Sequence, residues 1–297
     1  MARTPRAETV GSLIVSSARR LERAGVAFGH GTTNAIDEAA WLVRHALSLP
    51  VAPAHDDTAT RVSATGVKAA RDLIAQRIRS RKPAAYLLNE AWLGPYRFHV
   101  DERVIVPRSF IAELLLRDAL APWVANPASV RSALDLCTGS GCLAILLAKV
   151  FPMAAVDGAD ISPDALAVAR MNVSAYRLGK RVRLVESDLL AALRGRTYDL
   201  IVSNPPYVTS ASMRRLPPEY RAEPGLALAS GSDGLEHTRT ILRDARRHLN
   251  PGGILVVEIG HNRRALERAF PTLPFAWPAL SSGEDNVFVL ERDALPR

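Results

Sequence analysis

The sequence of 297 residues is poor in cysteine and has no long apolar run. No apolar stretch approaches the roughly 20 residues that a membrane-spanning helix needs. The opening residues 1–6 are not followed by an apolar segment, so no secretory signal is evident. The two cysteines, Cys137 and Cys142, cannot build a disulfide framework. These absences predict a cytoplasmic protein that does not use a membrane.

Candidate metal ligands are equally sparse. His30, His45 and His55 are too scattered along the chain for a metal site. No histidine lies near Cys137 or Cys142 in the sequence, so both thiols are predicted to be small, buried packing groups. We therefore expect no metal.

Positive charge, in contrast, is abundant. The formal net charge is +8 and the isoelectric point is near 10.0, which favours an acidic or RNA-rich partner. The arginines are spread along the chain without a basic tail, so the composition is compatible with nearby RNA but does not indicate base recognition. Nothing in the sequence suggests an interface between copies, and a monomer is expected.

The length suits one large domain plus an accessory part. Apolar residues spaced three and four apart predict helices across residues 1–88, a candidate substrate-recognition domain. Short apolar runs around Gly94-Pro95 predict a β-hairpin linker over residues 89–107. Ser109 is a plausible cap for a following helix that extends through Ala119.

From Ser132 onward, predicted strands alternate with predicted helices. This alternation is typical of an open, doubly wound α/β sheet, which binds ligands beyond the carboxyl ends of its strands. Residues 275–280 and 287–290 are expected to form a closing hairpin. Residues 108–297 are therefore predicted to be the ligand-binding domain.

The segment Asn204-Pro205-Pro206-Tyr207, called the acceptor slot below, follows an apolar run that predicts a buried strand. Two consecutive prolines prevent the strand from continuing. The Asn204 side-chain oxygen and the Pro205 carbonyl would offer two acceptors side by side, since Pro206 has no N–H to compete. The Tyr207 ring would lie beside them. Two acceptors and a flat ring suit a planar NH2 group, such as that of an amide or a nucleobase.

The segment Cys137-Thr138-Gly139-Ser140-Gly141, called the glycine loop below, joins the first predicted strand to its helix. Its glycines let the backbone turn sharply and approach a ligand. Alone, the loop also matches the dinucleotide fingerprint, with Ala144 at the third small position and Asp160 about 20 residues on as a ribose ligand.

Two further acids favour S-adenosylmethionine over a dinucleotide. Asp135 precedes the glycines, where it would face an ammonium group and repel a pyrophosphate. Asp188 ends the third predicted strand and could accept a hydrogen bond from an adenine amino group, with Leu189 packing on the ring. An ammonium, a ribose and an adenine without phosphate are the groups of S-adenosylmethionine. Its sulfonium would lie toward Asn204.

Taken together, these motifs resemble the HemK/PrmC-type protein-glutamine methyltransferases over most of the chain. The resemblance is closest to the PrmB branch, which methylates ribosomal protein L-three of the large subunit. The stretches that resemble this branch are Ala85-Tyr86-Leu87, Glu90-Ala91-Trp92, residues 100–109, the glycine loop with Cys142, Glu219-Tyr220-Arg221, Glu223-Pro224, and residues 229–235. The release-factor branch resembles the chain less, because Ser109, Cys137 and Cys142 depart from its pattern.

The resemblance implies a Rossmann-like class I S-adenosylmethionine-dependent methyltransferase sheet in the α/β class. It implies methyl transfer to the side-chain amide nitrogen of a glutamine in ribosomal protein L-three, free or within an assembling large subunit. Asn204, Pro205 and Tyr207 would be catalytic, without an essential general base. Pro206, Arg108 and Glu113 would complete the acceptor site. The implied cofactor contacts are Asp135, Thr138, Gly139, Gly141, Asp160, Ile161, Asp188, Leu189 and Asn204.

Several alternatives remain at this point. A glutamine methyltransferase of peptide-chain release factors has the same motifs. A nucleic-acid methyltransferase acting on an exocyclic amine also uses Asn-Pro-Pro-Tyr, although no base-reading domain is recognisable. A non-enzymatic S-adenosylmethionine-binding factor would not need the acceptor slot. An NAD-dependent dehydrogenase is disfavoured by Asp135 and by the lack of a proton-relay constellation.

Overall fold

The computed structural model describes residues 8–52, 55–117, 120–281, 283 and 285–296. The chain forms two compact units, one comprising Met1–Glu90 with Pro217–Ala222 and the other comprising Ala91–Leu216 with Glu223–Arg297. Residues 217–222, which the sequence prediction placed within 108–297, therefore belong to the helical unit. The roles predicted for the domains stay predictions.

The helical unit has four described helices: α1 (Val10–Arg23), α2 (Ala35–Ala46), α3 (Ala64–Ser80) and α4 (Ala84–Leu88). A side chain caps the start of each of the first three helices. Thr9, Asn34 and Ser63 each accept a hydrogen bond from the backbone N–H three residues on, and at Thr9 the bond is part of a reciprocal capping box. Residues without solvent exposure, among them Leu13 and Leu42, form its core. The expected helical periodicity of this part is present in the structure.

A buried ion network crosses the interior of the helical unit. Arg77 has no solvent exposure, and its Nε donates to Glu38 Oε1 at 2.9 Å. Glu219, from the segment Pro217–Ala222, is also fully buried; its Oε1 lies 2.7 Å from Arg81 Nε and 3.5 Å from Arg77 Nη1. The Ala27 N–H donates to the same oxygen at 3.2 Å. Such a network is costly to break, because removing one partner leaves buried charge uncompensated.

The second unit begins with the expected hairpin and continues into an α/β sheet. Its described helices and strands are, in chain order, β1 (Ala91–Leu93), β2 (Tyr96–Phe98), α5 (Phe110–Leu116), β3 (Ser132–Leu136), α6 (Cys142–Val150), β4 (Ala155–Asp160), α7 (Pro163–Ala175), β5 (Val182–Glu186), β6 (Tyr198–Ser203), α8 (Ser210–Met213), α9 (Glu236–Asp244), β7 (Leu249–Glu258), α10 (Arg263–Ala269) and β8 (Val287–Glu291). Strands β1 and β2 pair antiparallel around Gly94-Pro95. Ala119, to which α5 was expected to extend, lies outside the described residues.

The large sheet has the order β5-β4-β3-β6-β7-β8, with β8 antiparallel and the other strands parallel. The apolar runs of β3, β6 and β7 are buried on both faces, as a parallel sheet requires. One face packs under residues of α5 and α6, and the other under residues of α9 and α10. The predicted α/β fold is confirmed. Strand order reverses between β3 and β6, and the crevice at this switch point is where ligands bind in such sheets.

The expected closing hairpin is wrong. Strand β8 pairs with β7, whereas the described residues of 275–280 meet β8 in one isolated bridge, between Ala276 and Val289, and a second bridge joins Leu280 to Gly283. The Ala276 N–H donates to the Val289 carbonyl at 3.1 Å, and the Val289 N–H donates to the Ala276 carbonyl at 2.8 Å. The long apolar run of β7 provides the ladder that the prediction had given to residues 275–280.

Candidate active site

A cleft opens at the carboxyl ends of β3, β4, β5 and β6. Its empty volume is about 790 Å³, open solvent at the mouth included, which is in the range of a cofactor site. Six of the predicted cofactor contacts line it: Gly139, Asp160, Ile161, Asp188, Leu189 and Asn204. The structure thus brings together side chains that are far apart in sequence. Of the predicted acceptor residues, Asn204 and Pro206 line the cleft.

The glycine loop holds a backbone conformation that its sequence makes accessible. Gly139 and Gly141 have φ values of +53° and +78°. No heavy atom lies within 4 Å of where a Cβ on Gly139 would stand, so the backbone faces open space in the cleft. A Cβ on Gly141 would lie 3.1 Å from the Ala169 Cβ, so Gly141 serves the close approach of the loop to α7. Thr138 is buried, and its N–H donates to the Ala159 carbonyl at 2.9 Å.

Asp160 fixes the shape of the loop from the end of β4. Its Oδ2 accepts the Gly139 N–H at 2.8 Å, and its Oδ1 accepts the Ser162 N–H at 3.0 Å. Burial raises the pKa of Asp160 above its ordinary value. Asp188 follows β5 and is exposed, and Leu189 beside it has a φ of +45°. The cleft therefore carries one acid that is largely used by the backbone and one that is open to a ligand.

Asp135 lies between the glycine loop and α6 and is not among the residues that line the cleft. Its Oδ2 accepts from Thr138 Oγ1 at 2.5 Å and from the Ala144 N–H at 2.8 Å. Its Oδ1 is buried without a hydrogen-bond partner in the described part of the chain. Burial raises the pKa of Asp135 to about 7. Contact of Asp135 with an ammonium group stays a prediction, as do the cofactor contacts of Thr138 and Gly141.

The acceptor slot begins where β6 ends. The Ser203 hydroxyl donates to the Leu136 carbonyl at 2.8 Å and ties the ends of β6 and β3 together. Asn204 follows half-buried, and the described residues supply no hydrogen bond to its side chain or to the Pro205 carbonyl. Asn204 is thus open to a ligand in the cleft, whereas Pro205 is buried and, like Tyr207, does not line it, so their contacts with a substrate stay predictions.

Tyr207 is held by the end of β7 and the residues after it. Its carbonyl accepts from Asn262 Nδ2 at 2.9 Å, and its hydroxyl lies 3.5 Å from Glu258 Oε1. A Cβ on Gly260 would lie 2.7 Å from Tyr207 Cε2, so the ring packs directly on that glycine. Burial, followed by the Glu258 charge, raises the pKa of Tyr207 above its ordinary value. The hydroxyl is therefore a neutral hydrogen-bond donor.

Arg108 and Glu113, which were predicted to complete the acceptor site, form hydrogen bonds with other residues of this chain. Arg108 Nη1 and Nη2 donate to the two carboxylate oxygens of Glu223 at 2.5 and 2.6 Å. Glu113 accepts from the Ser281 N–H at 2.8 Å, from its hydroxyl at 2.6 Å, and from Arg117. Neither residue lines the cleft. Their contact with a substrate stays a prediction.

Several residues of the site were not predicted from the sequence. The cleft lining also includes Arg103, Val104, Ile105, Pro224, Leu226, Ala227 and His237. Two buried acids, Glu223 and Glu258, brace its surroundings. Glu258 could have been found, because it is an acid at the end of an apolar strand, the same signal that identified Asp160. Glu223 and His237 carry no comparable local signal.

The structure also bears on the two cysteines, on metal-binding side chains and on membrane-spanning helices. Cys142 is buried, as predicted, but the prediction is wrong for Cys137, which is half-buried and lines the cleft because the glycine loop turns there. Burial raises the pKa of both thiols above the ordinary value, so both stay protonated. Within the described ranges, no three side chains of the metal-binding types come together as a metal site would require. None of the described helices combines the length and the apolar character needed to cross a membrane.

Comparison with known proteins gives concordant matches. A family model described as a methyltransferase small domain matches residues 114–216. The catalytic domain of hMettl16 in complex with a MAT2A 3′UTR hairpin shares the fold, with 16% identity and a TM-score of 0.50 over 65% of this chain and 74% of that one. The ribosomal protein uL3 glutamine methyltransferase of Neisseria meningitidis is 51% identical over 97% of this chain and 94% of its own. The Bordetella pertussis protein of the same name is 51% identical over 97% of this chain and 96% of its own. Because about half of the residues are identical over nearly the full length of both chains, this protein belongs to the ribosomal protein uL3 glutamine methyltransferase family.

Proposed function

We propose that this protein transfers a methyl group from S-adenosylmethionine to the side-chain amide nitrogen of a glutamine in ribosomal protein uL3. The observation that carries the proposal is the position of Asn204, whose free amide lies in the same cleft as Gly139 and Asp188. The names of the relatives supply the substrate. The Asn204 side chain, which lines the cleft and accepts no hydrogen bond from the described residues, supports an amide NH2 as the group that binds there.

The donor set of the cleft fits S-adenosylmethionine. Asp160 and Asp188 are suited to hydroxyl and amino donors, and Ile161 and Leu189 offer apolar contacts to a flat ring. Arg103, the one arginine of the described lining, is bound to Asp101 at 2.8 and 2.6 Å, so it provides little free charge for a diphosphate. We assign direct cofactor contacts to the cleft-lining residues Gly139, Asp160, Ile161, Asp188, Leu189 and Asn204. Asp135, Thr138 and Gly141 are assigned to the same cofactor site as part of the glycine loop and its support. When bound, S-adenosylmethionine supplies an electrophilic methyl group.

The acceptor slot addresses the main chemical difficulty, which is that an amide nitrogen is a poor nucleophile. Its lone pair is delocalised into the carbonyl. The Asn204 oxygen and the Pro205 carbonyl can hold both N–H bonds and orient the nitrogen toward the cofactor side of the cleft. Positioning of reacting groups lowers barriers by roughly 7–11 kcal/mol in the best-oriented systems. The Tyr207 ring would favour the positive charge that develops on nitrogen.

No general base is needed in this scheme. The amide nitrogen would form a bond to the methyl carbon as the sulfur–methyl bond breaks, and the electron pair would stay on the thioether of the product, S-adenosylhomocysteine. The nitrogen would thereby become positively charged, which makes its N–H strongly acidic. The Asn204 and Pro205 oxygens hold these N–H bonds until one proton leaves to solvent. The protein would act in the cytoplasm as a monomer on uL3, free or in an assembling particle, and its net charge of +8 would favour RNA nearby.

The test is transfer of labelled methyl from S-adenosylmethionine to purified uL3, a peptide-release factor and total RNA, run in parallel. Asn204→Ala should lower kcat by about 10²–10³-fold, the usual effect of removing one group that orients or stabilises the reacting atoms. Asn126→Ala is the matched control, because that asparagine is exposed and caps a short turn outside the cleft.

Label confined to uL3, mapped to one glutamine and lost in Asn204→Ala alone, is the expected result. Label in the release factor alone would keep the chemistry and change the substrate. Label in RNA alone would replace the proposal by exocyclic-amine methylation. No label in any acceptor would overturn it.

A further inference from the structure

Glu258, the last residue of β7, is a fully buried acid outside the roles assigned so far. Its Oε2 accepts the Ser109 hydroxyl at 2.7 Å and the Phe110 N–H at 2.9 Å, at the start of α5. One carboxylate oxygen is therefore used by a structural contact. The other oxygen, Oε1, faces the hydroxyl of Tyr207.

The chain around Glu258 contacts Tyr207 at three points. The carboxylate reaches the hydroxyl, Gly260 packs against the ring, and Asn262 Nδ2 binds the carbonyl. The backbone after β7 fixes where the ring stands, and Glu258 alone among these contacts can fix how the phenol is directed. A rotation that moves the hydroxyl away from Oε1 would break this contact.

The distance between the Tyr207 hydroxyl and Glu258 Oε1, 3.5 Å, is longer than the 2.5–2.7 Å that is typical of a hydroxyl bound to a carboxylate. Hydrogen bonds at active sites are often long in the free enzyme and shorten when the substrate binds. Among the described residues, the Tyr207 hydroxyl is the hydrogen-bond donor found for Glu258 Oε1. A shorter hydrogen bond would therefore stabilise this buried oxygen, because an unsatisfied buried acceptor is costly.

We propose that Glu258 is a positioning residue for methyl transfer: through the Tyr207 hydroxyl it holds the tyrosine ring as the wall of the acceptor slot. This inference rests on the proposed function of the slot. It goes beyond that function, because it assigns the orientation of the ring to an acid that does not line the cleft. Because Glu258 does not line the cleft, its effect on the acceptor would come through the position of Tyr207.

The test is a double-mutant cycle with Glu258→Gln and Tyr207→Phe, read as kcat at saturating S-adenosylmethionine. Tyr207→Phe keeps the ring and removes only the hydroxyl, so the fold is preserved. We expect each single variant to lower kcat about 10-fold, and the double variant to be no slower than either. Glu291→Gln, an exposed acid on the neighbouring strand β8, is the control for loss of one charge.

A second readout does not depend on activity. The chain has six tyrosines, so ring-labelled tyrosine gives a sparse NMR spectrum in which the Tyr207 signal is the one missing from Tyr207→Phe. Glu258→Gln should move the Tyr207 signal in the protein without substrate, and Glu291→Gln should not. This measurement stands even if uL3 proves not to be the acceptor, so failure of the proposed function and failure of this inference are distinguishable.

Any of three results would overturn the inference. Tyr207→Phe with the kcat of the wild type would show that the hydroxyl contact is irrelevant. A double variant whose loss equals the product of the single losses would assign the effect of Glu258 to the start of α5 instead. A Tyr207 signal unmoved by Glu258→Gln would have the same meaning.

Discussion

Asp135 has two candidate roles, a brace under the glycine loop and a contact for the cofactor ammonium, and replacement by asparagine separates them. Burial raises the pKa of Asp135 from its ordinary value of 3.8 to about 7. The folded protein therefore holds this proton more tightly than the unfolded chain does. The stability that Asp135 contributes is fully present below its unfolded pKa, and it falls as the pH rises to about 7. A difference of ~3 pKa units corresponds to ~4 kcal/mol.

Asparagine has the same shape and cannot ionise. Its side-chain oxygen can replace Oδ2 as the acceptor for the Thr138 hydroxyl and the Ala144 N–H. We expect the free energy of unfolding, measured in urea, to fall between pH 5 and pH 8 by about 2.5 kcal/mol more in the wild type than in Asp135→Asn. Asp164→Asn, at an exposed acid, should keep the pH dependence of the wild type. Parallel pH profiles for Asp135→Asn and the wild type would refute the reasoning.

Calorimetric titration with S-adenosylmethionine then decides between the two roles. If an ammonium group pairs with the unpartnered Oδ1, affinity should rise with pH up to about 7 in the wild type and lose that dependence in Asp135→Asn. If Asp135 only braces the loop, the variant should bind within a few-fold of the wild type at every pH. Either result decides the role of the Asp135 carboxyl, because the pH dependence of stability has already tested whether its pKa is raised by burial.

Two further predictions concern packing. Gly260→Ala should lower kcat about 10-fold or more with little change in cofactor affinity, because the new Cβ would stand 2.7 Å from Tyr207 Cε2 on a backbone with a φ of +53°; an unchanged kcat, measured beside an exposed glycine control such as Gly195→Ala, would contradict this. Glu219→Ala should cost about 3–5 kcal/mol of unfolding free energy, because it removes the buried carboxylate that Arg77 and Arg81 share and leaves Glu38 as the one acid partner of the buried Arg77 among the described residues. A loss below 1 kcal/mol in chemical denaturation would show that the Glu219 contacts contribute little.

The sheet was predictable because its signals are local. Four of the five parallel strands end in a polar residue, and the helices between the strands show their own periodicity. The same reasoning identified Asp160, Asp188 and Asn204, since the carboxyl ends of parallel strands meet at one edge. The closing hairpin failed because residues 275–280 and 287–290 are both β-prone, and the choice of partner for β8 depends on β7.

What the sequence could not supply are contacts between distant positions. Arg108 was expected in the acceptor site, but its guanidinium forms an ion pair with Glu223, which is 115 residues away in the sequence. Asp135 was expected to face a ligand, but whether a strand-end acid points into the cleft or beneath the loop depends on packing against α6. The capture of residues 217–222 by the helical unit is likewise invisible in a local pattern, because Glu219 finds its partners only in the folded unit.

The placement of Pro217–Ala222 in the helical unit limits how this protein can be divided. Removing residues 1–90 would also remove Arg77 and Arg81, and it would leave Glu219 without its cations. A helical domain transplanted from a relative must therefore carry two pieces of chain, the amino-terminal part and the six residues of this segment. Exchange of either piece alone would separate Glu219 from Arg77 and Arg81, so only an exchange of both preserves the buried network.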